Sequence, residues 1–228
     1  MGTLGRFRDE FLHHHVQHGA GGEGKQGYAP FYQWGRKDAF IPGTGTGNTN
    51  HTVYDIENGT VTGFTYTAST EATIGDNIKN PTTHYYNNST KGPCNTTYYN
   101  MWDAQNTATD NVTTATKKTV YDPCPPGFCV PTGNLYKYAN SQSSSTTWDG
   151  TNNGRTWSGI FFPASGCRNR NSGALSGVGS NGLYWSASPY NSSSGRYLYF
   201  YSGYWIWDSS NRATGFPVRP VAEESSVN

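Results

Sequence analysis

Charge is scarce in this chain. Asp, Glu, Lys and Arg make up 14% of its 228 residues and leave a formal +1. The Lys and Arg residues are scattered rather than clustered, so the electrostatic footprint of a nucleic-acid binder is missing and no nucleic-acid partner is expected. Long apolar runs are also missing, which excludes a direct membrane span by a helix. Met1–His18 has neither the apolar centre nor the small-residue cleavage site of a secretory signal, so no export signal is expected in the chain. Cysteine is limited to positions 94, 124, 129 and 167, with no CxxC pair and no accompanying His pair, which speaks against zinc. A Cys94–Cys124 disulfide and four free thiols both fit this spacing. His13–His15 read as part of a flexible leader, because no Cys or carboxylate stands at ligand spacing. No metal site, cofactor or catalytic constellation is expected.

Aromatic residues, by contrast, reach 15%, set among abundant Gly, Ser, Thr and Asn. With little helical periodicity, this composition suits a loop-rich β or α+β domain that meets other molecules through rings and hydroxyls. The many Trp and Tyr residues argue against disorder. The length accommodates one good core. The expected organisation is a leader over 1–27, a domain over 28–221 and a tail over 222–228.

One stretch organises the rest, Tyr184–Val221. Tyr197, Tyr199 and Tyr201 alternate with Leu198 and Phe200, the two-residue period of a strand with unlike faces. Ser202-Gly203 supplies a two-residue turn, with Gly free to take positive φ, and a second run follows from Tyr204. This register pairs Tyr201 with Tyr204, Phe200 with Trp205, Tyr199 with Ile206 and Leu198 with Trp207. Cross-strand partners share a face. Leu198, Phe200, Trp205 and Trp207 then form a core face. Tyr197, Tyr199, Tyr201, Tyr204, Ile206 and Asp208 form the other, continuing into Ser209, Ser210 and Asn211. The Tyr, Ser and Asn vocabulary of that face is the one antibody loops use for contact.

Elsewhere the signals are coarser. Phe31, Tyr32 and Trp34 mark a first strand that sends Trp34 into the core, followed by Arg36, Lys37 and Asp38 as a solvated turn. Residues 43–111 are Thr- and Asn-rich, with sequons at Asn58, Asn87, Asn95 and Asn111, and suggest peripheral hairpins and loops. Thr119–Tyr121 and Phe128–Val130 read as short strands around the rigid Asp122-Pro-Cys-Pro-Pro-Gly turn. Thr132 is placed to cap a short helix reaching about Ala139. Ser141–Asn153 reads as loop, Arg155–Pro163 as one buried strand, and Gly215–Val221 as a closing strand.

The segments KTVYDPCPPGFCVPT, FFPASGCRN, GALSGVGSNGLYWSASP and NRATGFPVRPV, in this order, carry a resemblance. The chain resembles the Bacteroidetes major-paralogous-domain and fimbrillin-associated proteins, and within that group the variable proteins of diversity-generating retroelements. The resemblance spans about Tyr28–Val221 and is strongest from Lys117 onward. It implies a C-type lectin-type fold related to formylglycine-generating enzymes, with a variable region at about 184–219. It also implies mutagenesis at template adenines, which scatters AAC codons into Tyr, Ser, Asp, Gly, Thr and Ile. The candidate variable, ligand-binding residues drawn from that set are Tyr190, Asn191, Ser192, Ser193, Ser194, Tyr197, Tyr199, Tyr201, Tyr204, Ile206, Asp208, Ser209, Ser210 and Asn211. Cys129 and Cys167 depart from the family pattern, standing where Arg or Lys and an aromatic are usual.

The function implied is non-enzymatic display: a C-terminal surface that binds a protein or glycan target, on a cell surface or a virion such as a tail-fibre tip. The alternative is a fixed adhesin or pilus-tip subunit. A formylglycine-generating activity requires a reactive cysteine pair, and Cys167 has no partner in the segment that follows and no His near it in sequence. Calcium-dependent sugar binding requires clustered carboxylate and amide oxygens, of which the hairpin offers only Asp208 and Asn211.

Overall fold

The computed structural model describes residues 29–43, 50, 54–55, 59–60, 64–69, 72–86 and 98–224. The expected leader over 1–27, His13–His15, Cys94, and the sequons at Asn58, Asn87 and Asn95 lie outside the described residues.

The chain forms many short strands in small sheets, with two α-helices among the described residues, and so has the expected loop-rich mixture of α and β. Strand β1 (Phe31–Gln33) is wholly buried. After the short antiparallel pair β2 (Tyr54–Asp55) and β3 (Gly59–Thr60), strands β4 (Thr65–Ala68) and β5 (Thr83–Tyr86) run parallel. A parallel pair needs a crossover, and helix α1 (Ile74–Lys79) supplies it. A capping box starts α1: Asp76 N–H donates to the Thr73 hydroxyl while the Asp76 carboxylate accepts from Thr73 N–H. This helix departs from the expectation of loops and hairpins alone.

Strand β6 (Phe128–Cys129) leads through Thr132, whose hydroxyl accepts from Leu135 N–H, into α2 (Gly133–Ser141). Then β7 (Thr147–Asp149), β8 (Gly154–Trp157) and β9 (Ile160–Pro163) make an antiparallel sheet in chain order. Two expectations are corrected here. Ser141–Asn153 is not all loop, and Arg155–Pro163 is not one strand. It folds back at Ser158-Gly159, whose φ of 50° and 77° match the right-handed twist of a tight hairpin. Thr119–Tyr121 is likewise not a strand; Lys118 makes only an isolated bridge to Asp103.

Strands β10 (Cys167–Arg168) and β11 (Leu175–Ser176) precede the largest ladder: β12 (Gly182–Pro189), β13 (Ser194–Tyr201) and β14 (Tyr204–Asn211), antiparallel in that order. Strand β15 (Gly215–Pro217) joins a four-stranded sheet of order β1-β15-β10-β11, and β16 (Val221–Ala222) pairs with β6.

The β12–β13–β14 sheet is covered on both sides. On one, Tyr184, Leu198, Phe200 and Trp205 pack with Tyr136 and Ala139 of α2 and with Trp157 and Phe162 of β8 and β9. On the other, Trp185 and Tyr197 pack with Trp34, Trp102 and Phe216. The two-residue period sends neighbours in the chain into different cores. The turn at Arg36 is corrected as well. Lys37 is exposed as expected and Asp38 partly so, but the Arg36 side chain is buried, paired to Asp38 at 2.7 Å and donating to Gln33 Oε1 and Thr83 O.

Candidate functional site

The hairpin forms in the expected register: Tyr201 opposite Tyr204, Phe200 opposite Trp205, Tyr199 opposite Ile206 and Leu198 opposite Trp207. Leu198 and Phe200 are fully buried and Trp205 nearly so, its indole N–H donating to Ala139 O at 2.9 Å. Phe200 lies between Tyr184 and Trp205, with ring centroids 6.1 and 5.2 Å away. Trp207 is only half-buried; the Arg196 guanidinium sits 4.2 Å above its ring.

On the opposite face the tyrosines grade outward. Tyr197 is 7% exposed, held between Phe216 at 4.8 Å and Trp185 at 5.9 Å. Tyr199 is half-buried, 6.3 Å from Tyr197. Tyr201 and Tyr204 are 40% and 42% exposed. Their rings stack at 5.6 Å, and each lies about as far from Tyr199, at 6.0 and 6.1 Å. The result is a continuous ladder of rings from the core to the hairpin tip. Burial raises the Tyr197 phenol, and the Asp208 carboxylate opposite raises it further. Tyr199 is raised by burial and then by Tyr201 and Tyr204.

Three candidate positions are corrected. Tyr197 has the right period but is core, because Phe216 of β15 packs against it and Trp185, its partner on β12, closes its flank. Ser209 and Asn211 pair with Arg196 and Ser194, so they share the face of Trp205 and Trp207, not that of the tyrosines. Ser210 does share the tyrosine face, opposite Gly195, at the end covered by Trp34. A Cβ at Gly195 would stand 2.5 Å from the Trp34 ring. The turn also differs from expectation: neither Ser202 nor Gly203 is among the residues with left-handed φ.

Tyr190, Asn191, Ser192 and Ser193 form the β12–β13 loop, at the far end of the sheet from Ser202-Gly203. Eight-residue strands at roughly 3.4 Å per residue separate the two by about 24 Å. Tyr190 and Asn191 N–H donate to Ser194 O, and Ser193 N–H donates to Asn191 Oδ1 at 2.9 Å. Tyr190, 39% exposed, carries the Arg196 guanidinium 4.2 Å over its ring, and Arg196 pairs with Asp110 at 2.7 Å. The candidates therefore fall into a tip group (Tyr199, Tyr201, Tyr204, Ile206, Asp208) and a loop group (Tyr190–Ser194).

Sequence reasoning missed the arginines that brace these groups. Arg155 on β8 donates from Nε to Tyr201 O at 3.0 Å and from Nη2 to Ser202 O at 2.7 Å. Arg212 lies 4.1 Å over the Trp34 ring and donates to Asn191 O at 2.8 Å and Tyr98 O at 3.0 Å. The available signal was their rarity, an arginine at the head of an aromatic strand and another in a Gly/Asn-rich turn of a charge-poor chain.

Burial pushes up all three described thiols, Cys167 to about 11 and Cys129 to about 12, and Cys124 further still, which works against thiolate chemistry. Among the described residues no group of three or more His, Cys, Asp or Glu is placed to hold a metal, and no helix is long and apolar enough to cross a membrane.

Residues 136–221 match the family model described as "Domain of unknown function (DUF8237)". The match runs from α2 to the start of β16, and takes in the whole β12–β13–β14 sheet and Arg155. No curated protein and no solved structure matches the chain.

Proposed function

We propose that this chain is a non-enzymatic display protein that binds a protein or glycan target through its hairpin tip. The observation that carries this is the ladder Tyr199–Tyr201–Tyr204, which leaves the core and ends in two exposed, mutually stacked rings. Tyr rings supply large contact area at small entropy cost, and their hydroxyls and the neighbouring Ser202 adapt to polar partners. The frame beneath them, Leu198, Phe200 and Trp205, is made on the other face, so the tip side chains are free for contact.

Diversification by a retroelement belongs to the same proposal. The tip and loop groups consist of Tyr, Ser, Asn, Asp and Ile, the residues that adenine changes in AAC codons generate, while the buried frame contains Trp, Phe and Leu. A C-type lectin-type fold is supported by the small sheets, the long connections and the single helix laid on the terminal sheet. Display on a cell surface or a virion completes the reading.

Sequencing the 3′ end of the gene with its flanking DNA across a population tests it. The expected result is substitution at adenines of the codons for the tip and loop groups, matched by a nearby template repeat, with Leu198, Phe200 and Trp205 unchanged. An invariant hairpin with no neighbouring repeat or reverse transcriptase overturns diversification and leaves a fixed adhesin or pilus-tip subunit.

A further inference from the structure

We propose that Arg155 and Arg212 are positioning residues that fix the backbone of the two display segments through main-chain carbonyls alone. These two holds are then independent of which side chains are displayed, whereas the bond from Ser193 N–H to Asn191 Oδ1 within the loop is not. The inference rests on the reading of the tip and loop as contact surface, and extends it to how that surface tolerates change.

The tip needs an external hold. Two-residue hairpin loops usually match strand twist with left-handed residues, and Ser158-Gly159 in this chain does so. Ser202-Gly203 does not. Instead, one guanidinium grips the last residue of β13 and the first residue of the turn, by Nε to Tyr201 O and Nη2 to Ser202 O. Its remaining nitrogen donates to the Thr146 hydroxyl. Arg155 is only 8% exposed, and its own backbone is set between Trp148 and Phe162 in the β7–β8–β9 sheet. The planar fork suits two acceptors in fixed relation, and charge-assisted bonds of this kind are stronger than neutral ones.

The second display segment repeats the device. Arg212, fully buried, reaches Asn191 O and Tyr98 O, while its own N–H donates to Ser193 O. In both places the acceptors are peptide oxygens, which every residue carries. Replacing Tyr201, Ser202, Asn191 or Ser193 removes none of these acceptors. A backbone held this way also loses less freedom on binding a target, whatever the side chains are.

Amide hydrogen exchange on the full chain tests the inference without any ligand. Arg155→Met is compared with Arg155→Lys, which keeps the charge and loses the fork, and with the double change Tyr201→Ser/Tyr204→Ser. The amide protection factor at Tyr204, opposite Tyr201 at the closed end of the hairpin, should fall about tenfold or more in Arg155→Met and by less in Arg155→Lys. Amides of Leu183–Ser186 should keep their protection in both, and the tyrosine double variant should leave tip protection unchanged. If Arg155→Met does not fold, Arg155→Lys and the double variant still decide. Unchanged tip protection in Arg155→Lys then overturns the proposal, as does lowered tip protection in the double variant with Arg155 intact. These outcomes are separate from the population sequencing: an invariant gene leaves the clamp standing, and a failed clamp leaves the diversification intact.

Discussion

The two faces of the β13–β14 hairpin use the same kind of residue to opposite ends. Toward α2, Phe200 stacks between Tyr184 and Trp205, and the three are sealed by Tyr136, Trp157 and Phe162. Away from α2, Tyr197 starts in an equally closed setting against Trp185 and Phe216, yet the rings beyond it emerge until Tyr201 and Tyr204 stand in solvent. The difference is one of cover, not composition. An aromatic strand residue is frame where a second layer reaches it and contact surface where that layer stops. On the α2 side the layer runs the length of the tip; on the other side Trp34 and Phe216 cover only the end from Gly195 to Tyr197.

The comparison is sharpest at the frame. Leu198→Ala removes a fully buried side chain from the α2 face and is expected to cost roughly 2–5 kcal/mol in urea unfolding.

Tyr197→Ser probes the point where the outer face is still core, and an expected loss of about 2–4 kcal/mol would set Tyr197 with Leu198 rather than with Tyr201. Its phenol gives a second readout. Because burial and Asp208 raise its folded pKa, the folded state keeps the proton after unfolded tyrosine, near pH 10, has lost it. The stabilisation is complete below pH 10 and is lost as pH rises toward the folded value. Tyr197→Phe should flatten that part of the alkaline decline.

How much of this was legible follows the same division. The register was, because a two-residue loop between alternating runs admits one pairing in which every large apolar side chain shares a face. The placement of Ser209 and Asn211 was legible too, had the period been carried past Asp208. Tyr197 was not, since a two-residue period assigns a face but not the extent of the layer above it, which here comes from Trp34 and Phe216 far away in the chain. Arg155 was equally hidden: its acceptors lie 46 and 47 residues on. Helix α1 had a written signal in its Thr73–Asp76 capping box, masked by the surrounding Thr and Asn.

The smallest effect is also the most direct test. Tyr201→Ser/Tyr204→Ser removes the two exposed rings of the tip, and its free energy of unfolding should lie within about 1 kcal/mol of the unchanged protein. That result leaves the tip without a structural duty and available for contact. A loss as large as that of Leu198→Ala would make the tyrosines part of the frame, and would contradict the division between the two faces on which the proposed binding surface depends.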